Sequence, residues 1–217
     1  MTRVEVYVDP SCPWAWITTR WLKEVAPRRD LELGWCSFCI EIRDDYGVSP
    51  AIAPERRDAA MAAHALSHRA LRVFEAARAE AGSAASGDAV FDALLTAWGH
   101  RFFARGAVRD ESILTGCVDA CRLDRALLGA ADDDAWDTPI TGAMKVAYAF
   151  GGEKTQTPTI VVRDDPPHGF KGPVMAPAPT GDAAVVLWDA LMVLSREPGV
   201  FEFTRPRANR PLPPPAG

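Results

Sequence analysis

The strongest constraint on this chain is a block of about a hundred residues without strand signal, set between two segments that have it. Across residues 44–150 alanine is abundant and apolar residues recur at helical spacing: Met61, Ala65, Leu66, Ala70, Val73, Phe74 and Ala77, then Phe91, Leu94, Leu95, Trp98 and Phe102. Shorter helical runs follow at about 111–121, 125–131 and 138–150, with breakers at 82–87, at Gly106, at 132–134 and at Gly151-Gly152. Ahead of the block, residues 4–8 (VEVYV) alternate and are β-branched, which predicts a strand. A helix opening at Pro13 carries Trp16, Ile17, Trp21, Leu22 and Val25, and Pro27 with the charged 28–30 ends it. Residues 31–40 (LELGWCSFCI) predict a second strand, so the first forty residues form a βαβ unit with parallel neighbours. After the block come a strand at 159–163, a turn, a second hairpin arm at 170–174 and a helix over about 182–194. The last twelve residues, 206–217, hold five prolines and are expected to be extended or disordered.

Composition removes several classes of function. The 217 residues carry a formal charge of −5 and no Lys/Arg-rich run, which argues against a general binder of nucleic acid or anionic membranes. No apolar stretch approaches the roughly 18 to 20 residues that span a bilayer. The start, MTRVEVYVDP, lacks a signal-peptide core, so a soluble cytoplasmic protein is expected. Five cysteines are an odd count, and with no signal they point to a reducing compartment where thiols are catalytic or buried.

Cys12 carries the chemistry. It sits between the first strand and the first helix, where unpaired backbone N–H groups and the helix dipole stabilise a thiolate, so its pKa is expected to be lowered. Thr157-Pro158, just before a strand, is a candidate cis-proline, whose preceding backbone an extended substrate could meet. Cys36 and Cys39 are spaced like a Cys-x-x-Cys, yet alternation along a strand puts them on opposite faces, so no disulfide is expected between them. Both are read as buried core, with Cys39 alternatively lining the pocket. Cys117 and Cys121 share a helix face and read as packing. His64 and His68 lack the intervening Glu of a zinc-protease helix and read as surface or packing; no metal set is expected. No GxGxxG or Walker loop is present, so no tightly bound nucleotide cofactor is expected.

The segment DPSCPWAWITTRW resembles the active-site turn of DsbA-like proteins with a helical insertion, and most of all the actinobacterial mycothiol-dependent reductases with a Cys-Pro-Trp-Cys site. TAWGHRF, Thr157-Pro-Thr-Ile, LWDA near residue 188 and FEFTRPR near the end follow in the family's order. The same superfamily contains kappa-class glutathione transferases and 2-hydroxychromene-2-carboxylate isomerases. The resemblance implies an α/β, thioredoxin-like fold with a large all-helical insertion. Its core is expected at 1–43 and 155–200, its insertion at 44–154 and a C-terminal extension at 201–217. It also implies a low-molecular-weight thiol such as mycothiol as a reaction partner, and a pocket formed by Pro13, Trp14, Cys39, Trp98, His100, Thr157 and Pro158 around Cys12.

One departure stands out: Ala15 occupies the place of the family's second cysteine. A dithiol site releases its mixed disulfide through that second thiol. Here Cys12 works either with a small thiol resolving it, or in covalent chemistry that needs no second thiol; an alanine introduced to trap an intermediate would read the same. The leading expectation is cis-trans isomerisation of a conjugated double bond, in a small-molecule or carrier-bound substrate, by reversible addition of Cys12. A monothiol oxidoreductase follows closely, and a substrate-binding protein without catalysis is the third reading. Oligomeric state is not legible.

Overall fold

The computed structural model describes residues 1–207 and 211; most of the proline-rich tail thus lies outside the described residues. Strand β1 (Thr2–Val8) leads through α1 (Pro13–Arg29) to β2 (Leu31–Ser37). The two strands pair in parallel from Thr2↔Leu31 to Val8↔Ser37, as a βαβ crossover requires. Strand β3 (Thr159–Val162) runs antiparallel to β1, and β4 (His168–Lys171) antiparallel to β3, giving the order β2-β1-β3-β4. Val4, Val6, Val8, Ile160, Val161 and Val162 are fully buried, so the two central strands form the middle of the core.

Between β2 and β3 stand α2 (Ile40–Arg43), α3 (Arg57–Glu80), α4 (Ala84–Phe102), α5 (Ser112–Ala120) and α6 (Asp137–Gly151); α7 (Asp182–Arg196) closes the order. This is the thioredoxin-like α/β fold with a helical insertion. Helix α7 packs on α1, where Trp21 Nε1 donates to the Ala184 carbonyl at 3.0 Å and the Trp21 and Trp188 rings lie 6.1 Å apart. Helices α3 and α4 pack through Phe74, whose ring meets those of Phe91 and Trp98 edge-on. One continuous cluster of buried side chains joins the sheet to the inserted helices.

The course of α3 matters for the site. Its residue Glu75 accepts from Ser37 Oγ and its Arg78 donates to the Trp35 carbonyl, so α3 runs antiparallel to β2. Residues of α3 before about position 67 therefore rise past the end of the sheet, over the turn that follows β1.

Several boundaries differ from the sequence reading. Strand β2 ends at Ser37: Phe38 N still bonds to the Val8 carbonyl, but Cys39 has left the sheet to cap α2. Strand alternation therefore does not relate Cys36 to Cys39. Helix α1 passes through Pro27 and closes at Asp30, a left-handed residue (φ 51°) whose N–H bonds to the Ala26 carbonyl. Helix α4 starts at Ala84, capped by Ser83, and absorbs Gly87, which by sequence reads as part of a breaker. A Cβ there would lie 3.1 Å from the Arg78 carbonyl oxygen, so glycine lets α4 meet the backbone of α3. The 125–132 segment is a 3-10 helix, and the second hairpin arm lies two residues earlier than expected.

Candidate active site

The turn Asp9-Pro10-Ser11-Cys12 carries the chain from β1 into α1. Cys12 is the N-cap residue (φ −80°, ψ 111°), with Pro13 at the first helical position, where no N–H is needed. Its own N–H bonds back to the Asp9 carbonyl at 3.0 Å and its carbonyl accepts from Trp16 N at 3.0 Å. Its Sγ donates to the Thr157 carbonyl at 3.4 Å. The Thr157–Pro158 peptide is cis. Thr157 Oγ1 accepts from Asp9 N at 3.0 Å and donates to the Tyr7 carbonyl at 3.2 Å, fixing this residue to β1. Cys12, Pro13, Thr157 and Pro158 thus meet at one end of the sheet.

What organises the turn is a carboxylate that sequence reasoning missed. Asp9 is 1% exposed. Its Oδ1 accepts from Ser11 N (2.7 Å), Ser11 Oγ (2.6 Å) and Ser67 Oγ (2.7 Å), and its Oδ2 from Ile40 N (2.7 Å). Four donors offset the cost of burying the charge. The same group ties β1, the start of α1, the start of α2 and the middle of α3 together. An Asp followed two residues later by Ser is a recognisable local turn signal; nothing near Ser67 announced its part.

The thiol itself corrects the sequence expectation. Burial pushes the Cys12 thiol up to about 12, against the pull of the Ala15 and Trp14 backbone N–H groups, and the Asp9 charge pushes the same way. The helix terminus acts as expected, but desolvation outweighs it at 6% exposure. Burial thus favours the neutral thiol over the thiolate at Cys12.

The other expected pocket residues separate. Cys39 is fully buried, caps α2 and offers its N–H to Met144 Sδ at 3.5 Å; burial first, then Asp9, raises its thiol. It adjoins the site from behind the Asp9 carboxylate. Trp98 is fully buried, with Nε1 donating to the Pro10 carbonyl at 2.9 Å, so it supports the turn from beneath and presents no face to a ligand. His100 packs edge-on to Trp16 at 5.4 Å, on a ring that also carries Arg20 at 4.2 Å; it belongs to the α1–α4 seam. There Gly99 admits the Trp16 ring, which a Cβ would overlap. Trp14 is half-buried beside Cys12, with the Arg207 guanidinium 5.2 Å over its ring, so the C-terminal segment reaches the rim of the site. Ala15 is buried and borders a cavity of about 10 Å³ with Pro10, Leu95 and Trp98.

Beside the site, His68 is a hub and no surface residue. It is 3% exposed, with Nδ1 2.8 Å from Glu41 and Nε2 2.7 Å from Asp137, and Arg72 grips Asp137 with two bonds of 2.7 Å. Burial raises the Asp137 carboxyl, but bonds from Arg72 and His68 overcome it and hold it below its ordinary value. This network joins α2, α3 and α6 behind the thiol.

A cysteine at a helix start, a cis Thr-Pro backbone facing it and an inserted helix against its turn are the arrangement of a known group. The model of the Rv2466c-like family, mycothiol-dependent nitroreductases, matches residues 11–205. The chain belongs to the Rv2466c-like family. The Mycobacterium tuberculosis protein Rv2286c, named as uncharacterized, is 25% identical over 210 residues, covering 96% of this chain and 84% of its own. Among solved structures, the fold is shared with Streptomyces coelicolor SCO1869, described as a "probable DsbA oxidoreductase" (TM-score 0.58, 19% identity, 89% of this chain and 91% of that one). It is shared also with a 2-hydroxychromene-2-carboxylate isomerase (TM-score 0.52, 14% identity, 88% and 94%). Among the described residues of this Rv2466c-like chain, no helix is long and apolar enough to cross a membrane.

Proposed function

We propose that this Rv2466c-like protein is a one-thiol reductase that takes its second sulfur from a low-molecular-weight thiol such as mycothiol. The observation that carries the reading is a single thiol, Cys12, held against the Thr157 carbonyl with the methyl group of Ala15 where a dithiol site has its partner. In the first step the Cys12 thiolate attacks one sulfur of a disulfide; the S–S bond breaks, a Cys12 mixed disulfide forms, and the other half leaves as a thiol once protonated. In the second step the thiolate of the small thiol attacks the mixed disulfide, restoring Cys12 and carrying the substrate half away as a new disulfide. Family membership supports this reading over the isomerase expected first from sequence. All five cysteines are free, which suits a reducing, cytoplasmic setting.

Isomerisation by addition of Cys12 to a conjugated double bond remains the second reading. What favours it is again Ala15, because no neighbouring thiol at that position can capture Cys12. The two readings part in one experiment: the protein is incubated with a mycothiol mixed disulfide, a nitroaromatic compound and a conjugated enoyl thioester, each with and without mycothiol. Turnover of the disulfide or the nitro compound only when mycothiol is present supports the reductase. Isomerisation of the enoyl thioester without any thiol supports the second reading and overturns the first.

A further inference from the structure

The motif FEFTRPR near the end of the chain has no part in the site as described, yet its last residue reaches the rim. Helix α7 ends at Arg196, which grips Asp164 at 2.7 Å, just past the far end of β3. Thr157 and Cys12 meet at the opposite end of that strand. Residues 197–207 therefore run back along the molecule toward the thiol. Their extended reach of up to about 40 Å is ample for the return.

Little holds this strap down. Every residue from Arg196 to Arg207 is exposed, with Phe201 at 92% and Phe203 at 84%. Beyond Glu197 its hydrogen bonds among the described residues stay within the strap: Gly199 N and Val200 N donate to Glu197, and Thr204 Oγ1 to Glu202. Its contact with the body of the protein is the Arg207 guanidinium, 5.2 Å over the Trp14 ring. Trp14 stands two residues on from Cys12, and its backbone N–H is one of those that draw the Cys12 thiol downward. An indole beside the thiol thus seats a cation that has no hydrogen bond or ion pair among the described residues. The other charges near the thiol are already engaged. Arg43, which also acts on Cys12, is held by Asp44 with bonds of 2.7 and 2.8 Å, and Asp9 is sealed by its four donors.

A guanidinium lying over a ring keeps the N–H groups at its edge available. Two such groups match the two oxygens of a carboxylate, and a donor-only group gains most from an anionic acceptor. We propose that Arg207 is a specificity-determining residue that takes hold of a carboxylate on the disulfide substrate, close to the sulfur that Cys12 attacks. The inference rests on the one-thiol reductase reading and names the substrate class for it. In the step concerned, the Cys12 sulfur bonds to the sulfur of the carboxylate-bearing half. The old S–S bond breaks, and its electron pair leaves with the other half as a thiolate. Arg207 exchanges no proton; it holds the half under attack.

The test compares two chromogenic aromatic disulfides, 5,5′-dithiobis(2-nitrobenzoate), which carries carboxylates, and 4,4′-dithiodipyridine, which carries none. Their rates of reaction with Cys12 are followed in the full chain by release of the coloured thiol, with Cys12→Ser as the blank for the other four cysteines. Arg207→Gln is expected to slow the carboxylate disulfide about fivefold relative to the dipyridine, as the loss of one exposed charge pair would. Arg207→Lys should recover part of that ratio, and Arg205→Gln, the same charge change on the same strap, should leave it within about twofold. An unchanged ratio in Arg207→Gln overturns the proposal, and so does an equal loss in Arg205→Gln. Equal slowing of both disulfides also overturns it, because Arg207 would then only tether the strap. Neither rate requires mycothiol, so selectivity without mycothiol-dependent turnover overturns the reductase reading and leaves Arg207 assigned. If neither disulfide reacts at Cys12, the reductase reading fails, and NMR titration with benzoate and benzamide decides Arg207. Binding of benzoate alone, weakened in Arg207→Gln, is then expected; equal binding of the two overturns the proposal.

Discussion

The sulfur of Cys12 lies 3.4 Å from the carbonyl oxygen of Thr157, a residue 145 positions away in sequence. The contact ties Cys12 to the segment that enters β3, and the Thr157 hydroxyl fixes that segment to Asp9 N and the Tyr7 carbonyl. Replacing Thr157 with valine keeps the volume and removes both bonds. Unfolding by urea is expected to show a loss of about 1–3 kcal/mol, since two buried backbone groups lose partners. Unchanged stability would mean that β1 and the Thr157 segment do not need this hydroxyl.

Cys12→Ser should lower thiol transfer by roughly three orders of magnitude, because a hydroxyl there is a far poorer nucleophile. Ala15→Cys should do the opposite for autonomy: a disulfide between Cys12 and the introduced thiol forms on oxidation, and disulfide reduction proceeds with a dithiol in place of mycothiol. Measured on an enoyl thioester, the same variant should gain nothing. A variant that still depends wholly on mycothiol counts against Cys12 being resolved from position 15.

Asp9→Asn replaces an acceptor of four hydrogen bonds by an amide that must turn its NH₂ toward some of the same donors. A cost of about 2–4 kcal/mol is expected, with Ser67→Ala milder at about 1–2 kcal/mol. Denaturant midpoints give both values, and a neutral Asp9→Asn would show that the carboxylate charge is not what holds the turn.

Alkaline pH should weaken the fold through its buried thiols. Cys12 and Cys117 are pushed up to about 12 by burial, against an ordinary value of 9.0. Below pH 9 both folded and unfolded states keep these protons and nothing changes. Between 9 and 12 the unfolded chain releases them while the folded one retains them, so stability falls with rising pH, by up to about 1.4 kcal/mol per unit for each thiol. Urea midpoints from pH 8 to 10.5 should fall less steeply in Cys117→Ala than in the wild type. Parallel curves would place the alkaline loss elsewhere.

Much of the fold is legible in the sequence because its signals are local. The β-branched run of β1, the proline opening α1 and the apolar spacing of α3 and α4 each name an element without outside help. Cys12 is legible for the same reason, as a cysteine between a strand and a proline-led helix. What stays hidden depends on contacts made across the chain. The upward push on the Cys12 thiol comes from its burial, which its neighbours in sequence do not announce. Trp98 reads as a pocket wall by sequence, but its indole N–H finds the Pro10 carbonyl and the ring turns inward. His68 passes for a surface or packing residue and Ser67 draws no reading, because their partners, Asp9, Glu41 and Asp137, lie 27 to 69 positions away.

The span from Asp9 to Ser67 sets an order of events in folding. Fifty-eight residues separate the carboxylate from the hydroxyl that completes its shell. Closing a loop of that length is entropically slow compared with forming α1 or the β1–β2 pair. A newly made β-α-β segment therefore carries the cysteine before it has the means to hold it in place. Reactive geometry arrives only with α3, so a half-folded or truncated chain exposes an ordinary thiol and the finished protein alone presents an organised one.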